Sequence, residues 1–184
     1  MTAKESTTPS WKAQVKENLI TIAIALTVAL LIRVFIAEPR YIPSGSMLPT
    51  LEIGDRLVIE KVSYHFQPVH RGDVIVFVPP KQLLVRGYET NQAFIKRAIA
   101  KGGDTVEVKD GIVYVNNRPL EEDYIAQLPN YSMPLVTVPE GKLFVMGDNR
   151  NNSNDSHIWG FLPEVNIIGQ AVFRFWPFDR IGSV

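Results

Sequence analysis

The sequence predicts a mainly β domain, built on an antiparallel sheet and preceded by one N-terminal transmembrane helix. Three observations carry that expectation. A single apolar run, Leu19 to Ala37, is long enough to cross a bilayer. The remainder is a series of short runs rich in β-branched and aromatic residues. Thirteen prolines and twelve glycines punctuate those runs and leave no long amphipathic helix outside the anchor.

Taken in order, residues 1–17 form a short tail, whose beginning, "MTAKESTTPS", is polar and of disordered character. Residues 18–37 are the anchor. Its core, "LITIAIALTVALLIRVFIA", is apolar except for two threonines and Arg33, and at about 1.5 Å per residue it approaches the roughly 30 Å hydrocarbon thickness. Arg33 lies near its end, where a long side chain can snorkel to the head groups. A cleavable secretory signal is the competing reading, but a cut after Ala37 would place bulky Phe35 where a small residue is expected. Lys4, Lys12 and Lys16 before the span, against Arg33 and Arg40 at and after its end, give a slight bias toward a cytoplasmic tail.

Residues 38–184 then form one β-rich extracytoplasmic domain. "RLVIEKVSY", "DVIVFV" (Asp73 to Val78) and "FIKRAIA" (Phe94 to Ala100) read as strands. "TVEVKDGIVYVNN" reads as a hairpin turning at Asp110-Gly111. "KLFVMGD" and "GQAVFRFWPF" complete the set, and residues 79–92 and 121–134 are longer connections.

Composition narrows the function. Nineteen basic residues balance nineteen acidic ones, so no polyanion-binding surface is implied and nucleic acid is not an expected partner. There is no cysteine, which excludes disulfides, thiol catalysis and cysteine-ligated metals. Three dispersed histidines lack metal-ligand spacing, so neither a metal nor a cofactor is expected.

The candidates for chemistry are Ser44 and Ser46 in "YIPSGSMLPTLEIGD", Lys96, and the polar cluster "GDNRNNSNDSHIWG" (Gly147 to Gly160). A serine hydroxyl needs a base to take its proton. One arrangement is a triad of Ser46, His157 and Asp155, although "SGSM" lacks the nucleophile-elbow pattern. The other is a serine–lysine dyad. Alternation along "AFIKRAIA" sets Phe94, Lys96 and Ala98 on one face and Ile95, Arg97 and Ile99 on the other. Lys96 thus has apolar neighbours that can desolvate an amine and lower its pKa, whereas an isolated strand lysine ordinarily points to water. "DNRNNSND" matches a calcium loop only loosely and reads better as a turn knit by its own side chains.

Together these segments resemble the bacterial type I signal peptidases, or leader peptidases. "IPSGSMLPTL" is similar to that family's nucleophile box, "GDRLVIEK" to the strand box after it, "FIKRAIAKGGD" to the lysine box and "GDNRNNSNDSHIWGFLP" to the last box. The resemblance runs from about Tyr41 to Gln170, plus the anchor. It implies an antiparallel-sheet catalytic domain of the signal peptidase type that removes signal peptides from exported preproteins through an acyl-enzyme. Ser46 would be the nucleophile and Lys96 the general base. Ser44 and the Ser46 N–H would form the oxyanion hole, and Ser153 would hydrogen-bond and orient the Lys96 amine. Arg97, Asp148, Arg150 and Asp155 would brace the site. Small residues one and three positions before the cut would fit pockets lined by Ile42, Pro43, Met47, Leu51, Phe94 and Ile95. At His157 many relatives carry arginine, which weakens the expectation of an ion pair there. The implied partners are preproteins and membrane lipid, and the implied location is a bacterial cell membrane or an internal membrane such as the thylakoid. The remaining alternatives are an anchored β scaffold without activity and a self-cleaving serine–lysine regulator.

Overall fold

The structure, a computed structural model, describes residues 11–184. The disordered stretch expected of residues 1–10 lies outside the described residues. Helix α1 spans Trp11–Leu31 and continues into a π-helical turn, Ile32–Ile36. It therefore starts earlier than residue 18, because "WKAQVKE" contains no helix breaker and extends the helix upstream of the apolar segment. Gln14–Ile36 is long and apolar enough to span a membrane, and apolar side chains from Leu19 to Ile36 stand exposed around the helix. The two threonines within it satisfy their hydroxyls on the preceding turn, Thr21 on Glu17 O (3.0 Å) and Thr27 on Ala23 O (2.8 Å).

Residues 37–184 form a second compact unit. Its larger sheet is antiparallel throughout. Four of its strands are β1 (Ala37–Tyr41), β2 (Arg56–Glu60), β3 (Val74–Phe77) and β4 (Phe94–Lys101). The smaller sheet takes the next four, β5 (Thr105–Lys109), β6 (Ile112–Val115), β7 (Arg118–Pro119) and β8 (Met133–Thr137). The chain then returns to the larger sheet with β9 (Lys142–Met146), β10 (Leu162–Pro163), β11 (Ile167–Trp176) and β12 (Gly182–Ser183). The larger sheet runs in the order β1-β2-β11-β3-β4-β9-β10, with β12 beside β11, and the smaller in the order β7-β6-β5-β8. Two single-turn helices, α2 (Lys81–Leu84) and α3 (Ser156–Trp159), complete the unit.

Each run expected to be a strand contains one, although "RLVIEKVSY" is a strand only to Glu60 and ends in a 3-10 turn, Ser63–His65. The DG hairpin forms as read: Asp110 has φ 52° and Gly111 φ 77°, the left-handed pair that a tight two-residue turn requires. β1 and β8 were not expected as strands; each is short and carries a proline, which masks strand character. Three apolar clusters fill the unit. Ile42, Met47, Leu51, Leu57, Ile59 and Ile95 centre the first, and Phe77, Ala98, Val145, Trp159 and Leu162 belong to the second. The third, around Ile99, Val106, Val113 and Phe144, joins the sheets. The expected alternation along β4 holds as far as Ala98: Phe94 and Ala98 face the second cluster and Ile95 the first. A bulge between Ala98 and Ala100 then turns both Ile99 and Ala100 into the third cluster.

Candidate active site

The serine-bearing segment leaves β1 at Tyr41 and folds over the end of the first cluster. Ile42 and Met47 are buried and act as its pegs, while Gly45–Met47 makes one turn of 3-10 helix between them. Hydrogen bonds from Ile42 N to Asp55 O and from Gly54 N to Ile42 O (both 2.9 Å) close the loop at its base. Asp55, 1% exposed, caps Glu52 N and pairs with Arg180 (3.0 Å) and Arg174 (3.4 Å). With its apolar residues turned inward, the loop leaves Ser44 exposed and Ser46 half-buried.

Lys96 comes from the middle of β4, opposite Ile75 of β3, and is 3% exposed. Its Nζ donates to Ser46 Oγ at 2.7 Å and to Ile95 O at 3.0 Å. Burial holds the amine down at about 8, against the opposing pull of the Asp155 and Asp148 carboxylates. A lysine so placed is a free base over a pH range in which an exposed lysine is fully charged. The Ser44 hydroxyl stands 3.4 Å from Ser46 Oγ, on the turn's open side.

Asp148, fully buried, takes both guanidinium arms of Arg97, Nε to Oδ1 at 2.9 Å and Nη2 to Oδ2 at 2.6 Å, and also accepts from Thr50 Oγ1. Arg150, 1% exposed, is held by both oxygens of Glu122 and donates Nε to Gly147 O (3.1 Å). Tyr124 lies against Arg97, its ring centre 4.0 Å from the guanidinium carbon, and donates its hydroxyl to Glu122 (2.8 Å). Asp155, also fully buried, accepts from Gly147 N (2.9 Å) and caps α3 through His157 N (3.2 Å). Arg97, Asp148, Arg150 and Asp155, the positions expected to brace the site, are thus each buried and engaged.

The expected orientation of Lys96 by Ser153 needs correction. Ser153 is buried, but its hydroxyl has no hydrogen-bond partner among the described residues; the Lys96 amine uses Ser46 and the Ile95 carbonyl instead. Both serines crowd Gly147, where an added Cβ would lie 2.3 Å from Ser153 Oγ and from Ser46 O, so no side chain fits at that position. At His157, where the expectation of an ion pair was weakened, Nδ1 lies 2.6 Å from Asp155 Oδ1. The ring stacks on Tyr131 (4.2 Å, 13°), and Ser46 Oγ is paired with Lys96 and Ser44, so the serine–histidine–aspartate alternative is not assembled.

A cavity of about 200 Å³ beside the serine loop is lined by Ile42, Pro43, Phe94 and Ile95, together with Arg40, Tyr41, Val76 and Ala93. Met47 and Leu51, expected among its lining, lie in the core beneath it, 1% and 0% exposed. The 3-10 turn carries Met47 inward, and the bond from Leu51 N to Met47 O (2.9 Å) brings Leu51 into the same cluster.

Sequence reasoning missed Asn149, Glu122, Tyr124 and Asp55. Asn149 holds the serine turn at two points, through its backbone N to Ser46 O (3.1 Å) and its Nδ2 to Gly45 O (2.9 Å). Its place beside Asp148 in the polar cluster was the one available signal.

The profile of the family described as "Signal peptidase, peptidase S26" matches residues 15–176. The chain is 61% identical over 181 residues to a probable signal peptidase I-1 of a Synechocystis species, covering 98% of this chain and 92% of that protein. It is 52% identical over 176 residues to a signal peptidase I of Leptolyngbya laminosa, covering 96% and 87%. It is 49% identical over 162 residues to the chloroplastic thylakoidal processing peptidase 1 of Arabidopsis thaliana, covering 86% of this chain and 48% of that protein.

Proposed function

The chain belongs to the peptidase S26 family of signal peptidases, and from that premise we propose that it cuts signal peptides from preproteins with Ser46 as nucleophile and Lys96 as general base. The 2.7 Å contact between Lys96 Nζ and Ser46 Oγ, at a lysine buried enough to lose its proton near pH 8, carries this reading.

With the amine neutral, the same contact lets Ser46 O–H donate to Nζ. The oxygen attacks the scissile carbonyl as its proton passes to Lys96, and the new oxyanion meets the Ser44 hydroxyl and the Ser46 N–H. The lysine then protonates the leaving amine, the mature chain departs, and the signal peptide stays esterified to Ser46. Water, giving its proton to the same lysine, releases the acyl group. Ser46 and Lys96 are held in register from opposite sides, by the Asn149 clamp on the serine turn and by the strand pairing of β4. No metal enters the scheme.

An extended substrate lies along the serine loop, where its main chain pairs as an added strand and alternate side chains enter the cleft. A 200 Å³ apolar cavity walled by Ile42, Phe94 and Ile95 suits small residues at the third and first positions before the cut. The apolar helix Gln14–Ile36 anchors the enzyme in the membrane, with the catalytic unit on the extracytoplasmic side of a plasma or internal membrane. There it meets substrates that carry an apolar segment of their own, at raised effective concentration.

The test is cleavage of a purified precursor by the full chain in detergent, with the new N-terminus sequenced. Signal-type cleavage is expected, lost in both Ser46→Ala and Lys96→Ala and kept in His157→Ala. Full activity in Lys96→Ala would sink the dyad.

A further inference from the structure

The segment that joins β7 to β8, residues 120–132, leaves the smaller sheet and lies along the polar loop that follows β9. Side chains and backbone tie the two together. Both oxygens of Glu122 hold the Arg150 guanidinium, and the Tyr124 ring lies over Arg97, 4.0 Å from its guanidinium carbon. Asn151 accepts from Asn130 N (2.8 Å) and donates to Leu128 O (3.0 Å), and Tyr131 stacks on His157 (4.2 Å). A connection with no helix or strand of its own thus follows the loop from Arg150 to His157.

We propose that Glu122 is a positioning residue for Ser46, acting through Arg150 and the turn from Gly147 to Arg150. This inference rests on Ser46 as the nucleophile. The contacts run without a gap. Arg150 donates Nη1 to Glu122 Oε2 at 2.6 Å and Nη2 to Oε1. The other edge of the same guanidinium, Nε, donates to Gly147 O at 3.1 Å, and Arg150 N donates to Asp148 O at 3.0 Å, which closes the turn. That turn presents Asn149, whose N–H holds Ser46 O (3.1 Å) and whose Nδ2 holds Gly45 O (2.9 Å). Ser46 Oγ in turn meets Lys96 Nζ at 2.7 Å.

A guanidinium is a rigid planar fork, so its two edges cannot be set independently. The Arg150 side chain is fully buried, and its hydrogen bonds go to Glu122 and Gly147 O. Fixing the carboxylate therefore fixes Nε, and with it the carbonyl on which the turn closes. Glu122 is itself held from two sides. The Tyr124 hydroxyl donates to its Oε1 (2.8 Å), and two residues earlier Leu120 N bonds Val113 O (2.8 Å) on β6 of the smaller sheet. The smaller sheet thereby takes a part in catalysis, as the support of this carboxylate. Both the N–H and the Oγ of Ser46 ride on the held turn, whereas Phe94 and Ile95 of the neighbouring cavity wall stand on β4. A shift of the turn thus acts on turnover and leaves substrate binding in place.

The experiment uses the full chain in micelles and takes two readings. One is hydrogen exchange at the Asn149 amide, which Ser46 O holds; the other is steady-state cleavage of a purified precursor. Glu122→Asp keeps the charge and withdraws the carboxylate by one methylene. Asn149 exchange is expected to quicken at least about tenfold, while the Ala98 amide, held by Asp73 O beside Lys96, exchanges as in wild type. The kcat is expected to fall about 10²-fold with KM within about threefold of wild type. Unchanged Asn149 exchange overturns the proposal. So does an unchanged kcat, which would mean that Glu122 supplies charge alone, and so does a loss carried by KM. Glu122→Leu combined with Arg150→Met separates position from stability, because apolar residues of similar volume can replace a buried ion pair without loss of folding. Its unfolding temperature is expected near that of wild type and its kcat as low as in Glu122→Asp; a wild-type kcat in this variant overturns the proposal. Exchange is read without substrate, so a failure there is separate from a failure of the dyad.

Discussion

Replacing Lys96 by methionine should abolish cleavage and at the same time change the protein's stability by an amount that depends on pH, a slight gain near neutrality turning to a loss in strong base. Burial brings the amine from its ordinary 10.5 down to about 8. At about 1.4 kcal/mol per tenfold change in proton affinity, keeping that proton in the folded state costs about 3 kcal/mol. Below pH 8 the amine is protonated in folded and unfolded chains alike, and the whole cost stands. Between 8 and 10.5 the folded chain releases its proton first, so wild-type stability climbs with pH. Above 10.5 the cost is gone. Methionine matches the length of the side chain and carries no proton. It loses the bonds to Ser46 and Ile95 O, worth about 1 kcal/mol each, but that loss is nearly the same at every pH. The difference in unfolding free energy between variant and wild type should therefore fall by about 3 kcal/mol from pH 7 to pH 11. Urea titrations of the full chain in detergent, followed by tryptophan fluorescence, measure it. A difference that stays constant across this range would refute the account of Lys96 as a desolvated amine. So would one that grows with pH.

The same amine sets the pH profile of cleavage, which should rise about tenfold per pH unit up to about 8 and then level off. Asp148→Asn removes a carboxylate that helps Lys96 keep its proton, so the midpoint of that rise should move to lower pH; an upward move in kcat profiles contradicts the reading. Ser44→Ala should lower kcat by about 10²–10³ with KM little changed, as steady-state kinetics on a purified precursor would show. A loss below about fivefold would remove Ser44 from the oxyanion hole. Gly147→Ala would set a methyl 2.3 Å from Ser46 O and Ser153 Oγ, and should cost about 1–3 kcal/mol in thermal unfolding along with most of the activity.

What the sequence could show of this site follows from which contacts are local. Lys96 was legible because alternation along one strand places its neighbours, and Ser46 because its turn is framed by Pro43, Gly45 and Pro49 within a few residues. The braces form over long separations. Glu122 meets Arg150 from a segment that reads as a featureless connection, and Asn149 reaches back more than a hundred residues to Gly45. Nothing in the spacing of either announces its partner. Ser153 went astray for a related reason: whether its hydroxyl meets the Lys96 amine depends on how the loop after β9 folds against β4, which no pattern along the chain encodes.

The place of β11 in the larger sheet has a consequence for when the enzyme comes to life. Ser46 sits between β1 and β2, Lys96 sits on β4 beside β3, and β2 and β3 never touch as neighbours; β11 lies between them and pairs with both. The strand that unites the two arms comes later in the chain than every residue of the site. A growing polypeptide can therefore hold both reactive side chains before it holds the strand that joins their two arms. A chain ending at residue 166 should leave precursors intact, and adding residues 167–184 as a separate peptide should restore cutting. An active truncation would mean that the two arms find each other unaided.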